Sequence, residues 1–149
     1  MLDSKNCQSR FNMTDGTLKK FNLKLNVTDA DIDDLGHVNN VVYLRWVQDA
    51  AEAHWKRLTT PEQRMELAWV VLRHEIDYYQ AAKLTDSLIA ETWVGETAGV
   101  KSIRFVQILN NAGTLYAKSR TTWCLIDPAT QKPKRITPEI QQIFQAGFL

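Results

Sequence analysis

The chain has 149 residues, 44% of them hydrophobic and 23% charged, with 18 Lys and Arg against 17 Asp and Glu. That length suits one domain with a sizeable core, and the composition excludes collagen-like, mucin-like and coiled-coil chains. A formal net charge of +1 offers no broad basic surface for nucleic acid, no window supplies the ~20 apolar residues of a spanning helix, and two cysteines are too few for a disulfide scaffold.

Residues 1–18 are polar. They carry neither the apolar core of a secretory signal nor an Arg-rich amphipathic helix. The expectation is a loose arm, a single domain over 19–149 and a cytoplasmic protein. From Phe21 to Val27, Phe21, Leu23, Leu25 and Val27 alternate with polar residues, which predicts a half-buried strand. An Asp-rich stretch runs from Thr28 to Asn40. The period then changes. Leu44, Val47, Ala51, Trp55 and Leu58 recur at three and four, with His54 at the edge of the stripe, which predicts an amphipathic helix over Asn40 to Leu58. Asn39 or Asn40 can cap its first turn, and Lys56 and Arg57 suit the dipole of its last.

Thr60-Pro61-Glu62-Gln63 spells an N-cap, a first helical proline and a capping-box partner, and so a second, short helix. The rest reads as strands. Trp69 to Tyr79 places Val70, Leu72, His74, Ile76 and Tyr78 on one face; Ser87 to Glu96, Val100 to Leu109 and Leu115 to Ile126 follow. Asn110 to Gly113 is a hairpin turn. Asp127-Pro128 ends the last strand, and Thr137-Pro138 opens a short C-terminal helix. One long helix against a mostly antiparallel sheet is an α+β layer architecture.

The chemistry is concentrated between Asp29 and Trp46. Asp29, Asp31, Asp33 and Asp34, with His37, Asn39 and Asn40, lead into the N-terminus of the longest helix. Such a terminus presents unpaired N–H groups that can hold a developing oxyanion, and a nearby carboxylate can act as nucleophile or base. The D-x-D-x-D spacing is not an EF-hand loop, because positions six and twelve are Asp34 and Asn40. His74-Glu75 is not a zinc motif, since Tyr78 stands where the second His belongs. His74 is expected as a satisfied core histidine and Cys124 as a small buried hydrophobe.

Asp31-x-Asp33-x-x-Gly36-His37-Val38-Asn39-Asn40-x-x-Tyr43 resembles the signature of hot-dog thioesterases. The likeness is to the 4-hydroxybenzoyl-CoA thioesterase family, particularly its bacterial long-chain acyl-CoA thioesterases. Plant acyl-carrier-protein thioesterases carry a related segment, with Tyr and Trp placed like Tyr43 and Trp46. Ile76 to Leu88, Val100-Lys101-Ser102, Cys124 to Asp127 and Thr130 to Lys132 resemble later parts of the same pattern. Leu35 departs from the Asn of the plant enzymes, and Asn40 from the His of some bacterial relatives.

The resemblance implies a hot-dog fold, a curved antiparallel sheet wrapped around one long central helix. It also implies a homodimer or homotetramer with the active site between protomers, hydrolysing an acyl-CoA. Asp33 would be the base or nucleophile, and the Asn40 N–H the oxyanion donor. His37, Asn39 and Tyr43 would support them. No metal or resident cofactor is expected, coenzyme A being part of the substrate, and neither a membrane nor nucleic acid is expected as a partner. Lys132-Pro133-Lys134-Arg135, Lys101 and Arg104 are candidates for the coenzyme A phosphates, with Ser102 beside them on the substrate side. The tryptophans are expected in the core, with one or two lining an acyl channel. Three rival readings are a carrier-protein substrate, a hot-dog dehydratase using His54 with Glu52, and a non-catalytic acyl-thioester-binding module.

Overall fold

The computed structural model describes residues 19–146, so the expected arm over 1–18 lies outside the described residues. Strand β1 (Phe21–Leu25) leads through a short 3-10 turn (Asp29–Asp31) to α1 (Asn40–Leu58) and α2 (Pro61–Glu66). Strands β2 (Ala68–Tyr78), β3 (Leu88–Ala98), β4 (Lys101–Asn110) and β5 (Leu115–Ile126) follow, then α3 (Pro138–Ala146). The elements expected from the sequence are all present within a residue or two at each end. Every strand pair is antiparallel, in the order β1-β3-β4-β5-β2.

The caps are those the sequence spells. The Asn39 side chain accepts from the Val41 N–H and opens α1. Thr60 and Gln63 exchange bonds at 3.2 and 2.8 Å across the start of α2. Gly99 (φ +66°) and Gly113 (φ +83°) turn the chain between β3 and β4 and between β4 and β5, in a backbone region that suits glycine.

The sheet packs one face against α1. Val42, Tyr43, Trp46, Val47 and Ala50 of the helix meet Leu88, Ala90, Val106, Ile108 and Ala117 of the sheet in the main core. A second cluster joins Leu67, Leu125, Ile136 and Ile140, with Trp55 and Trp69 against it. Fully burying an aliphatic side chain of this kind contributes roughly 1.5–3 kcal/mol.

Two expectations need correction. The alternation read along β2 breaks at Leu72, because the register with β5 shifts between Val71 and Arg73. A β-bulge there exchanges the faces. Trp69 and Val71 therefore share the helix-facing side with His74, Ile76 and Tyr78, whereas Val70 and Leu72 are exposed. His54 is not at the edge of the stripe. It is 1% exposed, stacked on Phe21 with ring centroids 5.1 Å apart.

Candidate active site

The loop before α1 is a tight turn closed by its own backbone. Ile32 and Val38 form an isolated antiparallel bridge. The Asp33 N–H donates to the His37 carbonyl at 2.7 Å, and the Gly36 N–H to the Asp33 carbonyl at 3.0 Å. Gly36 supplies the positive φ (+79°) that the turn requires. The Asp33 carboxylate completes the turn, its Oδ1 accepting from the N–H groups of Leu35 and His37 at 3.0 and 3.1 Å. Among the described residues Oδ2 receives no hydrogen bond. One oxygen thus fixes the carboxylate and the other stays available for chemistry.

At the helix start, the Asn39 side chain takes the Val41 N–H and the Asn39 carbonyl takes that of Val42. The Asn40 N–H has no acceptor among the described residues. It is one of the orphan donors of a 19-residue helix, at the positive end of the macrodipole. The Asn40 carbonyl is held from behind by the Tyr78 hydroxyl, which donates at 3.2 Å.

Residues outside the motif's chemistry brace this arrangement. The Asn39 N–H donates to the Asp31 carbonyl at 2.9 Å. The buried Asp31 carboxylate accepts from the Thr28 N–H and from Arg45 of α1, both at 2.9 Å. Burial works to raise the Asp31 pKa, but the Thr28 N–H and Arg45 outweigh it and hold the group below the ordinary carboxylate range. Asp31 spends its oxygens on this brace, and among the described residues no cluster of His, Cys, Asp and Glu could hold a metal.

Tyr43 is a buried pillar. Its hydroxyl accepts the Ala82 N–H at 3.0 Å, and the Ala82 carbonyl accepts the Val38 N–H at 2.8 Å. His37 shapes the turn through its backbone, and no hydrogen bond to its ring is recorded among the described residues.

The phosphate candidates divide. Lys101 is exposed at the start of β4. The basic turn is tied nearby, with the Lys134 N–H on the Leu125 carbonyl at 2.8 Å and the Ile136 N–H on the Gly99 carbonyl at 2.9 Å. Ser102 is buried and bonded to Thr97 at 3.0 Å. Arg104 is 6% exposed, so it does not belong with the surface lysines. Its Nη1 donates to His54 Nδ1 at 2.9 Å and to Thr92 Oγ1 at 3.0 Å. His54 is therefore a neutral acceptor. Burial first, and then the Arg104 charge, push its pKa down to about 3. Glu52 is exposed and bound to Lys56 at 2.8 Å, so the structure does not bring His54 and Glu52 together. His74 is satisfied as expected, 2.8 Å from Thr121 Oγ1, with its pKa lowered by burial.

A cavity of about 620 Å³ opens between the C-terminal half of α1 and strands β2, β4 and β5. Its walls include Gln48, Trp55, Trp69, Arg104, Trp123 and Phe144. Neither Asp33 nor Asn40 lines it. Gln48 alone lies roughly 12 Å along the helix from Asn40 at 1.5 Å per residue. Carboxylate and cavity occupy opposite ends of one protomer. Sequence reasoning missed Asp31–Arg45 and the inward Arg104. Only the shared phase of Arg104 with Val106 and Ile108 signals its burial.

The chain is similar in sequence and in fold to known proteins. The profile of the family described as "Thioesterase-like superfamily" matches residues 27–144. The acyl-CoA thioesterase YbgC of Haemophilus influenzae is 30% identical over 128 residues, covering 83% of this chain and 93% of that protein. The probable thioesterase YbaW of Escherichia coli superposes with a TM-score of 0.73 at 24% identity, covering 86% of this chain and 97% of that one. A mutant 4-hydroxybenzoyl-CoA thioesterase, complexed with 4-hydroxybenzoyl CoA, gives 0.76 at 12% identity, covering 84% and 98%. The fold is the hot-dog fold, and the chain belongs to the thioesterase-like superfamily.

Proposed function

We propose that the protein hydrolyses an acyl-CoA thioester to the free acid and coenzyme A. The observation that carries this is the pairing of a half-used carboxylate with an unused helix-start donor, Asp33 Oδ2 and the Asn40 N–H. A thioester carbonyl placed on the Asn40 N–H gains a hydrogen bond and the dipole together as its oxygen becomes negative. Asp33 either attacks the carbonyl carbon, so that the thiolate leaves and water then hydrolyses the resulting acyl-aspartyl anhydride to the free acid, or takes a proton from a water that attacks the carbonyl and expels the thiolate directly. His54, neutral and turned onto Arg104, gives no support to a dehydratase.

The working unit in this reading is a dimer formed along β2. That strand is an 11-residue edge whose exposed apolar side chains include Val70, Leu72 and Tyr78. A long apolar edge of this sort is a template for another strand. Antiparallel pairing about a twofold axis near Arg73 sets Tyr78 of one copy beside Ala68 of the other. Because Tyr78 touches the start of α1, the Asp33 and Asn40 of one copy arrive at the far end of its partner. The cavity, Lys101 and the basic turn all lie at that end, about 30 Å from Tyr78 at the rise of a strand. Two copies then unite reacting groups, acyl cavity and phosphate-binding cations.

Thiol release from a panel of acyl-CoA esters tests the activity, beside Asp33→Asn. The nearly isosteric variant is expected to fold normally and to lose about 10²–10⁴-fold in kcat. A variant with near wild-type kcat refutes the role of Asp33, and tight binding without thiol release favours a non-catalytic module.

A further inference from the structure

The cavity is lined by three cations and one carboxylate. Lys56, Arg64 and Arg104 face Glu52, and Glu52 is engaged by Lys56 at 2.8 Å. Arg64 is occupied with neutral acceptors, the carbonyl and hydroxyl of Thr59 at 2.7 and 3.1 Å. Arg104 lies deepest. Among the described residues no carboxylate comes within 4.0 Å of it, and its recorded bonds use only Nη1. Its guanidinium carbon also lies 5.8 Å from the centroid of the Phe144 ring. An inward guanidinium without a counter-charge is costly unless something pairs with it.

The walls add to the demand for an acceptor. Among the described residues, the buried indole N–H groups of Trp69 and Trp123 have no hydrogen-bond partner. Around these donors the surface is apolar, with Trp55, Leu67, Val71 and Phe144 suited to a methylene chain. The cavity thus combines a largely apolar barrel with a cationic floor, and among the described residues that line it the one carboxylate, Glu52, is engaged by Lys56.

We infer that this cavity takes an acyl chain ending in a carboxylate, so that the substrate is the CoA monothioester of a dicarboxylic acid. The inference rests on the thioesterase reading and on the β2 dimer that brings the reacting groups to the cavity mouth. The chain's methylenes lie against the aromatic walls, and its distal carboxylate meets the unused edge of the Arg104 guanidinium. Arg is the side chain whose planar fork matches a carboxylate in two parallel bonds. Nη1 remains on His54 and Thr92, which fixes the direction of the fork. Arg104 is here a specificity residue and takes no part in bond cleavage.

The test is kcat/KM by thiol release for esters matched in carbon number, adipyl-CoA against hexanoyl-CoA and suberyl-CoA against octanoyl-CoA. Wild-type protein is expected to prefer the carboxylate-ended member by about 10²-fold or more, as for a site whose polar group is left unpaired by the wrong substrate. In Arg104→Met the ratio is expected to fall to about one or below, and in Arg104→Lys to an intermediate value. An Arg104 with only a structural role would lower both members of a pair equally, which overturns the inference. Equal or better hydrolysis of the plain esters by wild-type protein also overturns it, and leaves the thioesterase reading standing. No thiol release from any ester overturns both. If Arg104→Met fails to fold, the wild-type ratio and Arg104→Lys decide.

Discussion

Replacing Tyr43 with Phe removes one oxygen and leaves the ring. The ring keeps its edge contacts with Trp46 and Tyr78, each at 5.3 Å. What is lost is the acceptor for the Ala82 N–H, at 3.0 Å. Ala82 is sealed from solvent, so water cannot take over that bond. An unsatisfied buried donor costs about 1–3 kcal/mol. The bond the hydroxyl donates, to the Gln80 carbonyl at 3.5 Å, is long and adds little. For a domain of this size each kcal/mol moves the melting point by about 3 °C, so Tyr43→Phe should lower Tm by about 3–9 °C in a calorimetric or circular-dichroism melt. The Ala82 carbonyl holds Val38, one bond from the Asp33 turn, so kcat should fall only a few-fold. Burial raises the Tyr43 pKa, which keeps the hydroxyl protonated at neutral pH. An unchanged Tm with a large loss of kcat/KM would refute this account and place the hydroxyl on the substrate.

Gly36→Ala meets no atom within 4 Å, so its cost is the positive φ alone, about 1–2 kcal/mol. The expected result is a small drop in Tm with a larger loss of turnover, as the Asp33 carboxylate loses its fixed direction; unchanged kinetics would show that the turn need not be rigid. His54 titrates near 6.5 when unfolded and at about 3 when folded, so the unfolded state binds the extra proton between those values. Stability should be full above pH 6.5 and fall by about 1.4 kcal/mol per pH unit as pH drops toward 3, with His74 adding in the same direction. His54→Gln, which keeps an acceptor for Arg104, should flatten that slope in melts across pH 4–7, and an unaltered slope would exclude His54 as its source. Leu72→Asp, at a side chain 53% exposed, should leave the monomer folded while light scattering shows the dimer lost and thiol release falls with it; a wild-type protein already monomeric refutes the shared site.

Much of the fold is legible because local signals agree. The three-four period of α1, the Thr60 capping box and the Asn110–Gly113 turn each specify one outcome, and the structure has all three. The turn at Asp33 is legible as a motif. Its purpose as a scaffold for one free oxygen emerges only from the bonds of Leu35 and His37. The bulge at Leu72 is invisible to a period-two reading, because one extra residue keeps the composition of a strand while exchanging its faces. Arg104 is misleading for a different reason. A charged residue in an exposed-looking alternation suggests solvent, yet Ser102, Arg104, Val106 and Ile108 share one phase and all are buried. The polar members of that row face the cavity, where ordinary hydrophobic patterning does not apply.

The strand order β1-β3-β4-β5-β2 also bears on how the molecule is assembled in time. β3, β4 and β5 follow one another through short turns, so their pairing closes small loops and is entropically cheap. β2 is made earlier in the chain but docks on β5, joining residues as distant as Ala68 and Ile126. Such a closure is slow compared with the hairpins, which places β2 among the last elements to settle. The sticky margin of the sheet is therefore completed only after the rest of the sheet exists. Ordering events in this way shortens the interval during which a half-built apolar border is open to the wrong neighbour.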